Sequence, residues 1–314
     1  MRYAMISIFY IKEKKMTWFG GIEAGGTKFN CIIAQDPENI LAEISIKTET
    51  PDKTIPEVIH FFKQAEKKHS ITLAAMGIAC FGPVNLDLND PLFGSITSTP
   101  KVKWQNTPLV SLLKTYFDLP FGFDTDVNGA AIGEGTWGAG KDLSDFLYVT
   151  IGTGIGGGII TNGRPIHGLI HPEVGHMLMH QDMEKDPFEG CCPFHRNCLE
   201  GLASGPSVSK RWGISTYDLP DDHPAWDLEA DYLGQAVHNW VLSYSPLRII
   251  LGGGVMKKKG LIEKIRKVAR VSLNGYVDSN LIKEENDSYI TLPKLGDRAG
   301  SLGAIALASL AAKS

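Results

Sequence analysis

Two glycine-rich turns and one crowd of cysteines are the stretches of this chain whose residue types and spacing could do chemistry. The first turn, Phe19-Gly-Gly-Ile-Glu-Ala-Gly-Gly-Thr27-Lys28, leads into the apolar run Phe29-Asn-Cys-Ile-Ile33. The second, Leu147-Tyr-Val-Thr-Ile-Gly-Thr-Gly-Ile-Gly-Gly-Gly158, leads into Ile159-Ile-Thr161. In each, a short apolar strand enters the glycines and a second strand leaves. Glycine allows positive φ and close backbone approach, and N–H groups converging on one point bind anions. Two such turns in one chain point to a duplicated unit that holds a polyphosphate from both sides. Gly152, Gly154 and Gly157 also satisfy G-x-G-x-x-G, but that dinucleotide fingerprint must open a helix, and here a strand ends in Asn162-Gly163. Gly21 to Gly26 resembles a P-loop, yet Thr27-Lys28 stands where Lys-Thr is needed, and again a strand follows. Plain hairpins remain the competing reading, and the paired occurrence favours phosphate binding.

Cys191, Cys192 and Cys198 fall within eight positions, a clustering that in a reducing compartment favours metal over disulfide. The other two of the five cysteines, Cys31 and Cys80, lie in apolar strands and read as core.

These residues need a scaffold, and 314 residues suffice for two domains. Hydrophobic residues make up 43% and charged ones 21%, ordinary for a packed globular protein. A net charge of −4 without a basic block excludes nucleic acid as an expected partner. No apolar run is long enough to span a membrane. Residues 1–15 read as an N-terminal extension, apolar over Ile6–Ile11 and then charged, without a cleavage site. Met16 directly precedes the first strand and is the expected native start, and the expected location is cytoplasmic.

Strands are expected at 18–23, 28–34 and 40–47. A helix follows from a capping box at Thr54-Ile-Pro-Glu57 to about Lys68, with Val58, Ile59, Phe62 and Ala65 as its apolar face. A strand at 73–80 runs into Phe81-Gly82-Pro83, and residues 84–106 read as loop. A helix at 107–118, a strand at 121–124 and a helix from Val127 to Trp137 complete the first unit. The pattern restarts with strands at 146–151 and 157–162. A long helix from Asp227 to Ser245 buries Leu228, Leu233, Val237, Trp240, Val241 and Tyr244. The strand Arg248–Leu251 then enters a third turn, Gly252-Gly-Gly254, with helices after about Lys259 and from Ser301 to Ala312. Such a repeat describes a two-lobed α/β protein with a cleft between the lobes.

With these motifs the chain resembles sugar kinases of the ROK family, within the actin and hexokinase superfamily, and is most similar to the family's bacterial fructokinases. The resemblance covers residues 17 to 312. It implies a duplicated ribonuclease-H-like fold with an inter-lobe cleft. One lobe would comprise 16–124 plus 298–314, the other 125–297 with a zinc loop at about 176–198.

By this resemblance Gly25, Gly26, Thr27 and Lys28 form the first phosphate loop, and Glu23 holds Mg²⁺ through water, since that ion keeps much of its hydration. Thr153 and Gly154 belong to the second phosphate loop. Gly252, Gly253, Gly254, Val255 and Met256 line the adenosine side together with Ser204-Gly-Pro206. Asp126 ends a predicted strand and opens a helix, where position alone favours an N-cap aspartate. The family pattern Asp-(Val/Ala)-Asn instead makes it the catalytic base that accepts a sugar hydroxyl proton. Thr125 stands where glucokinases of the family carry Asn, and with Asp126 it would face the substrate. His171-Pro-Glu173-Val-Gly175-His176 resembles the family's His-x-Glu-x-Gly-His signature, so Glu173, with Glu200, would bind sugar hydroxyls. The Cys-Pro-Phe-His arrangement of the fructokinase branch makes His176, Cys192, His195 and Cys198 the zinc ligands, two thiolates and two imidazoles with no open position. The family's commoner cysteine spacing would instead use Cys191.

The resemblance thus implies ATP-dependent phosphorylation of D-fructose at its 6-hydroxyl by a homodimer using Mg²⁺ and Zn²⁺. Glucokinase, mannokinase and N-acetylmannosamine kinase are the alternatives within the family. A sugar-responsive repressor needs a DNA-binding module before the first turn, where only about 20 residues stand, too few for a helix-turn-helix. A chaperone-like ATPase would lack the His-x-Glu-x-Gly-His segment and the cysteine loop.

Overall fold

Phe19, Ile22, Phe29, Ile33 and Ile46 recur at the spacing of strands that bury one or both faces, and they build a meander of β1 (Trp18–Ala24), β2 (Lys28–Ala34) and β3 (Ile40–Lys47). The computed structural model describes residues 17–283 and 287–313, so the expected extension 1–15 lies outside the described residues. Helix α1 (Pro51–His69) follows, then β4 (Leu73–Cys80), α2 (Leu109–Lys114), β5 (Phe121–Thr125) and α3 (Asp126–Trp137). The second unit comprises β6 (Phe146–Ile151), β7 (Ile155–Thr161), β8 (Arg164–Pro165), α4 (Leu199–Ala203), α5 (Gly205–Trp212), α6 (Ala225–Tyr244), β9 (Ile249–Gly252), α7 (Leu261–Leu273), α8 (Asn280–Lys283) and β10 (Ile290–Thr291). Helix α9 (Ala299–Ala311) closes the described chain.

The two sheets have the same plan. The first runs β3-β2-β1-β4-β5 and the second β8-β7-β6-β9-β10. In both, the three meander strands are antiparallel and the last two join in parallel. The glycine turns follow the central strands β1 and β6, so they occupy equivalent places. The first sheet packs Ile22, Phe29 and Ile78 against Phe62 of α1 and Trp104, and the second packs Val149, Ile151 and Ile249 against Trp240 of α6 and Ile265 of α7. Each fully buried side chain of this size contributes about 1.5–3 kcal/mol.

Helices α3 and α9 cross between the units, α3 packing on β7 and β4 and α9 on β4, β1 and β5. Their contact is nearly backbone on backbone. A Cβ on Gly303 would lie 2.0 Å from the Gly129 carbonyl oxygen, and one on Gly133 would lie 2.9 Å from the Gly303 nitrogen. Small residues therefore set the distance between these helices, and with it the position of Asp126 at the start of α3.

Element types follow the sequence expectation, with differences at helix ends. The capping box at Thr54 does not form: α1 begins four residues earlier, at Pro51, with Thr50 as cap residue and Pro56 inside the helix. The buried Thr54 hydroxyl accepts the Glu49 N–H at 3.0 Å instead. Pro51 has the fixed φ and missing donor that suit a first helical turn, so it outcompetes the later start. Helix α2 is shorter than expected and stops at Lys114.

Candidate active site

The first turn is closed by the Gly25 N–H donating to the Lys28 carbonyl at 3.0 Å. Thr27 and Lys28 stand exposed on it, and the Lys101 side chain lies across Gly26, where a Cβ would meet its Cε at 2.7 Å. Lys101, from the 84–106 loop, was not singled out by sequence reasoning; a lone lysine in a polar loop carries no local signal. Glu23, one residue from the end of β1, pairs in register with Asn30 of β2, whose amide donates to its carboxylate at 2.9 Å. Burial raises the Glu23 pKa above the usual carboxylate value, opposed by that hydrogen bond.

The second turn is closed by the Gly152 N–H donating to the Gly154 carbonyl at 2.9 Å, leaving Thr153 exposed. The Gly205 N–H, at the start of α5, donates to the Gly152 carbonyl at 2.8 Å, so a helix N-terminus abuts this turn. The third turn approaches so closely that only glycine fits at 253: its φ is +90° and a Cβ would lie 2.3 Å from the Ile151 carbonyl oxygen. A cavity of about 550 Å³ opens between the second and third turns, lined by Thr153, Pro206, Gly254 and Val255, as expected, and by Thr216, Tyr217 and Lys257, which were not. Gly252 and Met256 are buried behind that wall.

On the other side of Gly253 lies a smaller cavity of about 180 Å³, lined by Glu23, Asp126, Asp297, Tyr148 and Thr150. Asp126 is the first residue of α3 and Thr125 is its cap, the Thr125 hydroxyl accepting the Asn128 N–H at 3.1 Å. The capping role that competed for Asp126 is therefore filled by its neighbour. Asp126 accepts the Val127 N–H at 2.9 Å, and burial pushes its pKa up to about 7, with the Glu23 and Glu173 carboxylates adding to the rise. A carboxylate with that value is a competent general base near neutral pH. Thr125 itself is 2% exposed, with its hydroxyl engaged in the cap.

His171 is buried, its Nδ1 3.2 Å from Glu173 Oε1, and burial lowers its pKa. Burial and the nearby Glu200 raise the pKa of Glu173. Glu200 accepts the Ile155 N–H at 2.9 Å, tying it to the second turn, and its other oxygen lies 4.0 Å from His176 Nε2. Sequence reasoning missed a further cluster: the buried Asp124 accepts from Asn128 Nδ2 at 2.7 Å and faces His167 Nε2 at 3.0 Å, which raises the His167 pKa. His167 and Asp124 are 43 residues apart and no local spacing links them.

His176, Cys192, His195 and Cys198 bring one ligand atom each within 4.8 Å of one another. Cys192 Sγ lies 3.7 Å from His176 Nδ1 and 3.8 Å from His195 Nδ1, and Cys198 Sγ lies 3.5 Å from His176 Nδ1. A tetrahedral zinc with ordinary bond lengths needs a sulfur–nitrogen edge of about 3.6 Å, so this set fits that ion. Cys191 turns away, its thiol 2.9 Å from the Ser207 hydroxyl, and the alternative spacing that would use it is not supported. A cavity of about 1250 Å³ between α6, α7 and residues 185–188 includes none of the glycine turns and is not the candidate site.

No described helix is long and apolar enough to cross a membrane. Residues 19–311 match the ROK family model. The chain is 42% identical over 298 residues to a fructokinase of Zymomonas mobilis, covering 94% of this chain and 97% of that one. It is 40% identical over 294 residues to a fructokinase of Pediococcus pentosaceus, covering 94% and 98%. Among solved structures, a ROK hexokinase from Thermus thermophilus aligns with a TM-score of 0.76 at 25% identity, covering 95% of this chain and 99% of that one.

Proposed function

The chain belongs to the ROK family, and we propose that it is a fructokinase, transferring the γ-phosphoryl group of ATP to the 6-hydroxyl of D-fructose. The observation that carries the kinase reading is two like sheets whose central strands bring Glu23 and Thr150, each just before a glycine turn, to one cavity with Asp126. The choice of sugar rests on the relatives named fructokinase at 40–42% identity.

In this reading the adenosine lies in the larger cavity against Pro206, Gly252–Met256 and Thr153. Its phosphates meet the N–H groups of Gly26 and Gly154 and the side chains of Thr27 and Lys28, while the Gly25 N–H closes the first turn on the Lys28 carbonyl. Magnesium, when bound, neutralises charge on the phosphoryl oxygens; the carboxylate oxygens lining the smaller cavity are the hard donors such an ion takes. Glu173 and Glu200 accept sugar hydroxyls, and Asp126 takes the proton of the attacking hydroxyl as its oxygen reaches phosphorus. Thr125 holds α3 so that Asp126 points into the cavity. The lobes, 16–124 with 298–314 and 125–297, close to exclude water. His176, Cys192, His195 and Cys198 would hold a structural zinc, which would brace the loop between the sugar-binding Glu173 and Glu200. A homodimer working in the cytoplasm belongs to the same proposal.

The test is the rate of ADP release with Mg-ATP and a panel of D-fructose, D-glucose, D-mannose and N-acetylmannosamine. The expected kcat/KM for D-fructose exceeds the others by about tenfold or more. Equal efficiency with another hexose would refute the sugar, and no ADP release with any of them would refute the kinase.

A further inference from the structure

Lys257 and Asp297 form an ion pair at the junction of the two cavities. Lys257 follows the third turn and lines the larger cavity, whereas Asp297 precedes α9 and lines the smaller one. Lys257 Nζ lies 2.7 Å from each carboxylate oxygen of Asp297. Gly254 borders the first cavity and Gly253 the second, so the pair spans the passage that a triphosphate must follow from nucleoside to γ-phosphoryl.

We propose that Asp297 is, with Glu23, a carboxylate that holds the hydrated magnesium of the nucleotide, and that Lys257 passes from Asp297 to the phosphate chain as the nucleotide enters. This rests on the kinase reading and assigns residues that the sequence did not suggest. Three observations carry it. First, Asp297 and Glu23 share the small cavity with Asp126. Second, the Tyr148 side chain lines that cavity while only 6% exposed, and its hydroxyl makes no hydrogen bond among the described residues. Burial and four surrounding carboxylates, Glu134, Glu23, Asp126 and Asp297, keep it a protonated donor, so it awaits an acceptor such as a metal-bound water or a phosphoryl oxygen. Third, the ion pair is solvent-accessible, with side chains 63% and 79% exposed. Exposed pairs contribute little, so exchanging Asp297 for phosphate as the partner of Lys257 costs little. Each charge then finds a better partner: the lysine an anion of higher charge, and the aspartate a divalent cation.

Calorimetric titration without sugar tests this, using ATP in EDTA and ATP in excess magnesium chloride. Wild type is compared with Asp297→Asn and Lys257→Met, each first checked for an unchanged melting temperature. Asp297→Asn is expected to cut the tightening that magnesium confers by about five- to tenfold, while metal-free ATP binds as well as before or better. Lys257→Met is expected to weaken metal-free ATP by about fivefold. An Asp297→Asn variant with the wild-type ratio between the two forms of ATP, or with both forms weakened equally, would overturn the assignment of Asp297. A Lys257→Met variant that binds metal-free ATP like wild type would overturn the exchange. In either case wild type still binds ATP and the kinase reading stands; a wild type that binds neither form would sink both.

Discussion

Replacing Asp126 by asparagine should remove activity and stabilise the protein at the same time. The carboxyl has a folded-state pKa of about 7 against an ordinary value of 3.8, chiefly because it is buried, with the Glu23 and Glu173 carboxylates adding to the rise. Between pH 4 and 7 the folded state therefore binds a proton that the unfolded chain has released. Stability falls as pH rises through that window, and the full penalty is present above it. Keeping the proton from pH 4 to about 7 corresponds to about 4 kcal/mol, and partial solvent access reduces this to about 2–4 kcal/mol. Asparagine is nearly isosteric and never charges, so it avoids the penalty. At pH 8 the variant should melt about 4 °C or more above wild type, and near pH 4 the two should coincide. Its kcat should fall by about 10²–10⁴-fold, the usual worth of a general base. In wild type, kcat/KM should drop about tenfold per unit on the acid side of pH 7 as the base is protonated. Thermal melts at both pH values with ADP-release rates decide the matter. Equal melting temperatures at pH 8 would refute the burial argument, and retained activity would refute the assignment of the base.

Two further outcomes follow from geometry. Cys198→Ser should lose about one equivalent of zinc by metal analysis and melt at least about 10 °C lower, because a structural ion contributes directly to folding; a metal-free wild type with unchanged melting would exclude the site. Gly303→Ala places a Cβ 2.0 Å from the Gly129 carbonyl oxygen, a backbone atom that cannot swing aside. It should destabilise by about 1–3 kcal/mol and lower kcat by shifting α3, and melting within the wild-type error would refute the account of the helix crossing.

Much of the fold was legible because its signals are local. Alternating apolar runs ending in glycines announce β1–β2 and β6–β7, and the amphipathic stripe through Leu233, Val237 and Trp240 announces α6. The start of α1 was misplaced because two capping signals lie four residues apart, at Thr50 and Thr54, and the choice depends on where Thr54 is buried. Asp126 stood out only through the family's Asp-(Val/Ala)-Asn pattern, since its position alone read as a cap, and the cysteine and histidine residues of the 176–198 loop stood out by their crowding. Asp297, Lys257, Lys101 and the Asp124–His167 pair did not, since each is an ordinary charged residue until the chain returns from far away.

The order of strands, turns and helices was written in the sequence, because hydrophobic period, glycine and proline act over a few neighbouring residues. So were the identities of the thiol and imidazole donors. The fructokinase-branch pattern chose Cys192 over Cys191, but the physical reason is tertiary, since α5 brings Ser207 to the Cys191 thiol. The value of the Asp126 pKa was likewise set by assembly: desolvation and the fields of Glu23 and Glu173 exist only once separate segments enclose a common volume. Chemistry of that kind depends on distance in space, which packing of α3 against α9 creates and spacing along the chain does not contain.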